Sequence, residues 1–379
     1  MKRLVLMMLA LGLFFSAQAV YSDWTPGKRL TWTSNASWVP DIAVDSNNAI
    51  HVVWQEGPDT RTEIYYKGST DGGSTWSTAK RLTWTSGDSH HPAIAIDSNG
   101  HIYVVWVEGA DIYWSKSTDG GATWSTAQEL DQVVESFWYC YPAMAIDSTD
   151  TVHVVWGRIY GIHYTRSTDG GITWSGVQHL RSSDSVFSSR QSVCIDSNNQ
   201  VHVVWYEDAG VSNDEIYYKG SPDGGTTWGA TKRLTWTSVR SQDPAISIDS
   251  NGDIHVVWEE HYTPGNYEIS FKKSLDEGVT WTPGKKLTWA EGYSSDPKMS
   301  IDSNNAVHVV WWDTASGVWE AYYRRSTDGG TTWGARKRLS WNSGYSYHPA
   351  IDSNTVIHVV WDDNTPGNYE IYYRKYVNE

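Results

Sequence analysis

Several things are scarce in this sequence, and each scarcity excludes a class of protein. Among 379 residues only two are cysteines, Cys140 and Cys194. Two cannot build the disulfide framework that holds small exported domains together. Cys194 stands where sister segments carry Ala95 or Ser247, so it reads as a small core residue. Cys140 precedes a strand, and a bridge between the two is not expected. Long apolar runs are missing after the first few residues; nothing reaches the roughly 18 residues that a membrane helix needs. Positive charge is also short. There are 29 Lys and Arg against 44 Asp and Glu, a net charge of −15. Such a chain repels phosphate backbones and anionic lipid, so neither nucleic acid nor membrane insertion is expected. Helical periodicity is absent throughout.

The one apolar run lies at the start. Lys2 and Arg3 precede Leu4 to Phe15, and Ala17 to Ala19 supply small residues for cleavage. Residues 1–19 therefore read as a secretory signal peptide, without a cysteine for a lipid anchor. Its removal leaves 27 basic against 44 acidic residues, a net of −17, in a secreted or periplasmic protein expected to be a monomer.

What the sequence does have is repetition. "IHVVW" or a close variant begins at Ile50, Ile102, Val152, Val201, Ile254, Val307 and Ile357, about fifty residues apart. Each unit reads alike: a strand such as Pro92 to Asp97, a tight turn, the "VVW" strand, a variable loop, and an aromatic strand such as Glu63 to Ser69. An Asp-Gly turn and a last strand ending in "LTW" follow. These segments are short, rich in Val, Ile, Tyr, Trp and Thr, and bounded by turn formers. Four antiparallel strands repeated seven times predict an all-β, seven-bladed β-propeller. It occupies residues 20–379 as one domain. The blades fall at about 40–84, 92–131, 142–181, 191–236, 244–289, 297–341, and 349–375 together with 24–32. The last blade lacks its own fourth strand. "WTPGKRLTW" (Trp24 to Trp32), which closely matches "WTPGKKLTW" at Trp281, is expected to supply it and close the ring.

The Asp-Gly turn has a fixed form. It begins at Ser69, Ser117, Ser167, Ser221, Ser274 and Ser326 as Ser-x-Asp-x-Gly-x-x-Trp. This pattern resembles the Asp box, the bacterial neuraminidase repeat of sialidase-like propellers. The resemblance implies a box between third and fourth strands, on the face away from any catalytic site. The chemistry of the residues agrees: a turn Asp accepts backbone N–H bonds and Gly supplies positive φ. Six equivalent aspartates also argue against a catalytic role, which needs one distinctive environment. No Glu closes a calcium loop, and no Lys or helix follows to make a phosphate loop. The histidines at one second-strand position (His51, His153, His202, His255, His308 and His358) read as packed and hydrogen-bonded, not as a metal ring.

Function is sought where the repeats differ, in the loops of the opposite, top face. Of 24 tryptophans, all but five fall at repeated positions. Trp114 replaces a core Tyr; Trp38, Trp138, Trp312 and Trp319 map to top loops. Flat aromatic faces there suit stacking on sugars, or simply pack the loops together. The residue entering each first strand is expected to ring the channel mouth: Val39, His91, Tyr141, Arg190, Asp243, Asp296 and His348. Asp243 and Asp296 would be neighbours. That suits acid/base chemistry, or with His348 a divalent cation, or merely capping of backbone.

A sialidase resemblance also implies three arginines gripping a carboxylate. Arg158, Arg190 and Arg240 map to top loops and are candidates, but the Phe/Tyr-Arg-Ile-Pro element of that family is absent. Most other arginines sit at repeated strand positions. The sequence thus favours a module that binds an extracellular glycan or protein through Trp38, His91, Trp138, Tyr141, Trp312, Trp319 and His348, with no cofactor or metal. The alternatives are an exo-acting glycoside hydrolase using Arg158, Arg190, Arg240, Asp243 and Asp296, and a structural or envelope-assembly scaffold.

Overall fold

The computed structural model describes residues 23–58, 61–131, 141–158, 161–182, 188–210, 213–263, 265–289, 292–341 and 343–377. The leader expected over residues 1–19 lies outside them, as do Trp138 and Cys140. The described residues form 28 strands in seven four-stranded antiparallel sheets, with no helix. The molecule is a seven-bladed β-propeller. Blade one runs Ala36–Val44, Ile50–Gly57, Glu63–Ser69 and Lys80–Arg81, each strand pairing with the next. Blades two to six repeat this order.

Blade seven takes Ser346–Ser353, Ile357–Asp363 and Glu370–Lys375 from one end of the chain, and Lys28–Arg29 from the other. Lys28 pairs with Tyr373 and Arg29 with Tyr372, and Trp24 bridges to Tyr376. Trp24 is buried edge-on against Tyr323 and Tyr376, at centroid distances of 4.9 and 5.4 Å. The closing strand is thus anchored by packing as well as by its short ladder.

The core lies between blades. The seven "VVW" tryptophans are at most 1% exposed. Each sits in a cluster shared by two blades: Val53, Ile64 and Tyr66 of blade one meet Ile94, Val104 and Trp106 of blade two. Burying one such large apolar side chain stabilises by about 1.5–3 kcal/mol. The second-strand histidines are part of this packing. His51, His153, His202, His308 and His358 each hydrogen-bond a tyrosine hydroxyl at 2.7–2.9 Å. Burial lowers the His51 imidazole to about 4.

Each Asp-Gly turn is also an inter-blade joint. In the first, Asp71 accepts the Thr75 amide at 2.7 Å and the Thr75 hydroxyl at 2.6 Å, and Gly73 donates to Ser69 Oγ at 2.9 Å. Gly73 has φ +83°, and a β-carbon there would collide with the ring of Tyr373 in blade seven. Gly121 makes the same close approach to Tyr66. Only glycine meets both demands.

Candidate ligand site on the top face

The first strand of each blade lies innermost, and in every blade but the third, whose Pro142–Ile146 pairs without a break, it enters the channel through a bulge. In blade one the register breaks between Trp38 and Asp41, and in blade five between Gln242 and Ala245. The residue at the bulge is held in the left-handed region: φ is 49° at Val39, 50° at His91, 46° at Arg190, 49° at Asp243, 51° at Asp296 and 43° at His348. This costs a non-glycine residue roughly 1–2 kcal/mol. Such strain, repeated around one opening, is a pointer to function.

The strain is held by the neighbouring blade. The residue just after "VVW" catches the bulge amide: Gln55 accepts from His91 at 2.9 Å, Glu259 from Asp296 at 3.0 Å, and Asp362 from Val39 at 3.1 Å. The bulge turns each side chain toward the axis. Val39, His91, Tyr141, Arg190, Asp243, Asp296 and His348 all line one cavity of about 270 Å³.

Charge inside this mouth is arranged pairwise. Arg190 Nε lies 3.2 Å from Asp243, and another of its nitrogens lies 3.5 Å from Asp296. Its guanidinium covers the ring of Tyr141 at 4.7 Å, and Tyr141 meets His91 at 4.2 Å. Lys298 also pairs with Asp296. Opposite, Asp362 holds His348 Nδ1 at 2.8 Å. The two aspartates end up in different states. Burial, with Glu259 and Asp296 nearby, outweighs Arg190 and pushes Asp243 up to about 7. Burial would also raise Asp296, but Lys298, Arg190 and His348 more than offset it and hold it at about 2. Burial lowers His348, but Asp362 and Asp296 outweigh it and raise the imidazole. Burial, His90 and Arg190 keep His91 well below its usual range.

Beside the mouth runs a cleft of about 370 Å³ walled by Trp38, Trp312, Trp319, Tyr347 and Tyr369. Trp312 and Trp319 stack at 4.5 Å and 13°, with Tyr347 edge-on to Trp319 at 4.7 Å. Arg190, Asp243, Asp296 and His348 line both the mouth and the cleft, so the two are continuous.

The three arginines do not converge. Arg158 pairs with Asp131 of blade two, and Arg240 lies 3.7 Å from Asp214 of blade four. Among the described residues, only Arg190 of the three lines either cavity. The expected grouping with Trp138 falls outside the described residues. Gln55, Glu259 and Asp362 were not picked out from the sequence, nor were Lys298 and Tyr369. A signal was there for the first three. The position after "VVW" reads Gln55, Val107, Gly157, Tyr206, Glu259, Trp312 and Asp362, different in every blade.

The mouth does not resemble a metal centre, because the carboxylates of Asp243 and Asp296 are matched by Arg190 and Lys298. On the bottom face Asp249, Asp253 and His255 offer ligand atoms within 4.8 Å of one another. Asp249 there already accepts the amides of Asn251 and Asp253.

The fold and mouth define a seven-bladed propeller with an aromatic-walled polar opening on its top face. No protein-family model matches the chain, and no curated protein matches it. Solved structures do match in fold. A protein of unknown function from Dyadobacter fermentans is 16% identical, with a TM-score of 0.61 over 92% of this chain and 97% of its own. An ulvan lyase of polysaccharide lyase family PL25 is 12% identical, with a TM-score of 0.66 over 91% and 95%. The NanB sialidase of Streptococcus pneumoniae is 13% identical, with a TM-score of 0.55 over 93% of this chain and 71% of its own.

Proposed function

We propose that the protein is an exported carbohydrate-binding propeller whose top face takes a glycan. The observation that carries this reading is the continuity of aromatic cleft and polar mouth. Trp38, Trp312, Trp319, Tyr347 and Tyr369 offer ring faces and edges to sugar C–H surfaces. Arg190, Asp243, Asp296 and His348 then offer hydrogen bonds to hydroxyls where the cleft meets the mouth. The propellers it resembles in fold include a polysaccharide lyase and a sialidase, which supports a carbohydrate ligand. Binding to a glycan array, followed by calorimetry on the hits, tests this. Trp319→Ala and Arg190→Ala are each expected to weaken binding at least tenfold. An array with no hits, or variants that bind like the parent, would reject it.

A second reading rests on the split between Asp243 and Asp296. A carboxyl pushed to about 7 beside one held at about 2 suits a general acid next to a charged partner. On this reading the mouth cleaves a glycosidic bond and Asp243 gives the leaving oxygen its proton. Turnover would then fall as pH rises through about 7, and Asp243→Asn would abolish it. Release of reducing sugar marks cleavage, and ultraviolet absorbance of an unsaturated uronic product separates elimination from hydrolysis. Neither signal from any array hit would leave binding alone.

A further inference from the structure

The outer wall of the ring carries a second repeated feature that the top-face site does not use. Fourth strands form the outer edge of the blades. In five of them the sequence reads Lys-Arg or Lys-Lys, then Leu, then Thr or Ser, then Trp: Lys28 to Trp32, Lys80 to Trp84, Lys232 to Trp236, Lys285 to Trp289 and Lys337 to Trp341. Most of this motif has a structural task. Leu30, Leu234, Leu287 and Leu339 are buried. Thr83 Oγ1 accepts the Ile64 amide at 2.9 Å. Arg29, Arg233 and Lys286 pair with Glu370, Glu215 and Glu268 on the third strands. Basic residues on short edge strands also discourage pairing with other sheets.

The tryptophan is different. Trp32, Trp84, Trp236, Trp289 and Trp341 are 59–71% exposed, whereas the "VVW" tryptophans are at most 1% exposed. Each exposed ring has a cation beside it: Arg29 and Lys67 at Trp32, Arg81 at Trp84, Arg233 at Trp236, Arg324 at Trp289 and Arg374 at Trp341, all within 4.7–5.8 Å. Lys67, Arg324 and Arg374 belong to the next blade's third strand, so those rings stand at the seams between blades.

The five blades are consecutive around the ring: four, five, six, seven and one. Blades two and three break the pattern together. Their fourth strands begin Gln128-Glu129 and Gln178-His179 and carry no tryptophan. The second cation of each pair is matched by a third-strand glutamate and Lys337 by Asp23. Among the described residues of a chain of net charge −15, the arc therefore draws its uncompensated positive charge from Lys28, Lys80, Lys232 and Lys285 and from Lys67, Arg324 and Arg374 beside the rings. Its partner is therefore expected to be anionic, and its regular aromatic faces call for a repeating, flexible ligand. A flat bilayer cannot meet five side walls that face outward around a ring. Duplex nucleic acid keeps its base faces stacked inside and offers the tryptophans no ring to stack on, whereas each sugar of a polysaccharide exposes a C–H face.

We propose that the outer wall of blades four to seven and one is a polyvalent track for an acidic polysaccharide, with one sugar stacked on a tryptophan and one anionic group beside a cation in each blade. Each contact is weak by itself; linked along one polymer they act together.

Binding of the whole chain to polygalacturonate and dextran sulfate, with dextran as the neutral control, tests this. Trp32→Ala/Trp289→Ala/Trp341→Ala is expected to weaken polymer binding at least a hundredfold, and Trp236→Ala alone only severalfold. A trisaccharide of galacturonate should bind far more weakly than the polymer. These rings are solvent-exposed, so the melting temperature should stay unchanged. In the Trp319→Ala background, where the cleft is disabled, the triple variant should still lower polymer binding by the same factor, which separates this track from the cleft. The proposal is overturned if neither anionic polymer binds, if the triple variant binds like the parent, or if dextran binds equally well. Binding of phosphatidylserine vesicles or duplex DNA in place of the polysaccharides would also overturn it.

Discussion

On the bottom face, six aspartates sit in Asp-Gly turns open to solvent. The hydroxyl and amide of a threonine four residues on hold Asp71, Asp119, Asp169, Asp223 and Asp328 at about 2, and lower Asp276 as well. On the top face, Asp243 and Asp296 sit at equivalent places in adjoining blades, yet one titrates near 7 and the other near 2. The bottom aspartates agree because each turn supplies its own hydrogen bonds from within the repeat. The top pair disagree because their surroundings are not repeated: Lys298 stands on Asp296's own strand and Glu259 in Asp243's own blade, while Arg190 and His348 come from blades four and seven. Repeated chemistry makes a carboxylate structural here; unrepeated chemistry makes it individual.

Removing the closing strand tests what both faces share. Deletion of residues 20–32 takes away Trp24 and Leu30, two buried anchors of blade seven. The expected loss is about 4 kcal/mol or more, read as a fall in melting temperature together with loss of cooperativity. An unchanged melting curve would mean that the ring does not depend on this strand.

A bottom joint can be broken alone. Gly121→Ala places a β-carbon against Tyr66 in a backbone at φ +86°. About 2–4 kcal/mol of destabilisation is expected. Gly73→Ala and Gly225→Ala should cost similar amounts, because the joints are equivalent. Widely different values would show that the bottom face is less uniform than its geometry.

The smallest effect isolates the top face and is read by pH. Asp243 has its folded pKa raised above the ordinary value of about 3.9. Its contribution is complete below that value and is lost as pH rises through about 7. Asn imitates the protonated form. Asp243→Asn should therefore match the parent near pH 4 and already exceed it in stability by about 2 kcal/mol near pH 5.5. The bottom aspartates run the other way: lowered in the fold, they contribute above about pH 4 and lose that contribution as pH falls toward 2. Thermal unfolding across this range separates the two signs.

The repeat made the fold readable, since "VVW" and the Asp-Gly turn recur and fix strand order. The ring of residues from Val39 to His348 was likewise found from the position entering each first strand. What could not be read was backbone at positive φ. Val39 and His91 carry no glycine-like signal, and the proline after each suggests an ordinary extended entry. The directions of Arg158 and Arg240 were also hidden. They depend on Asp131 and Asp214, which come from other blades. Glu259 and Asp362 escaped notice because a position that varies in every blade looks like a loop. Here that position reaches across to the next blade's bulge.

The strand that completes blade seven has a mechanical consequence. Lys28–Arg29 and Glu370–Lys375 run antiparallel, and the two chain ends leave the sheet side by side near Trp24 and Tyr376. Tension applied at both ends therefore loads that ladder as a zipper, one hydrogen bond at a time. The other six blades carry their four strands in one stretch of chain. Under force the ring is expected to open first at this ladder.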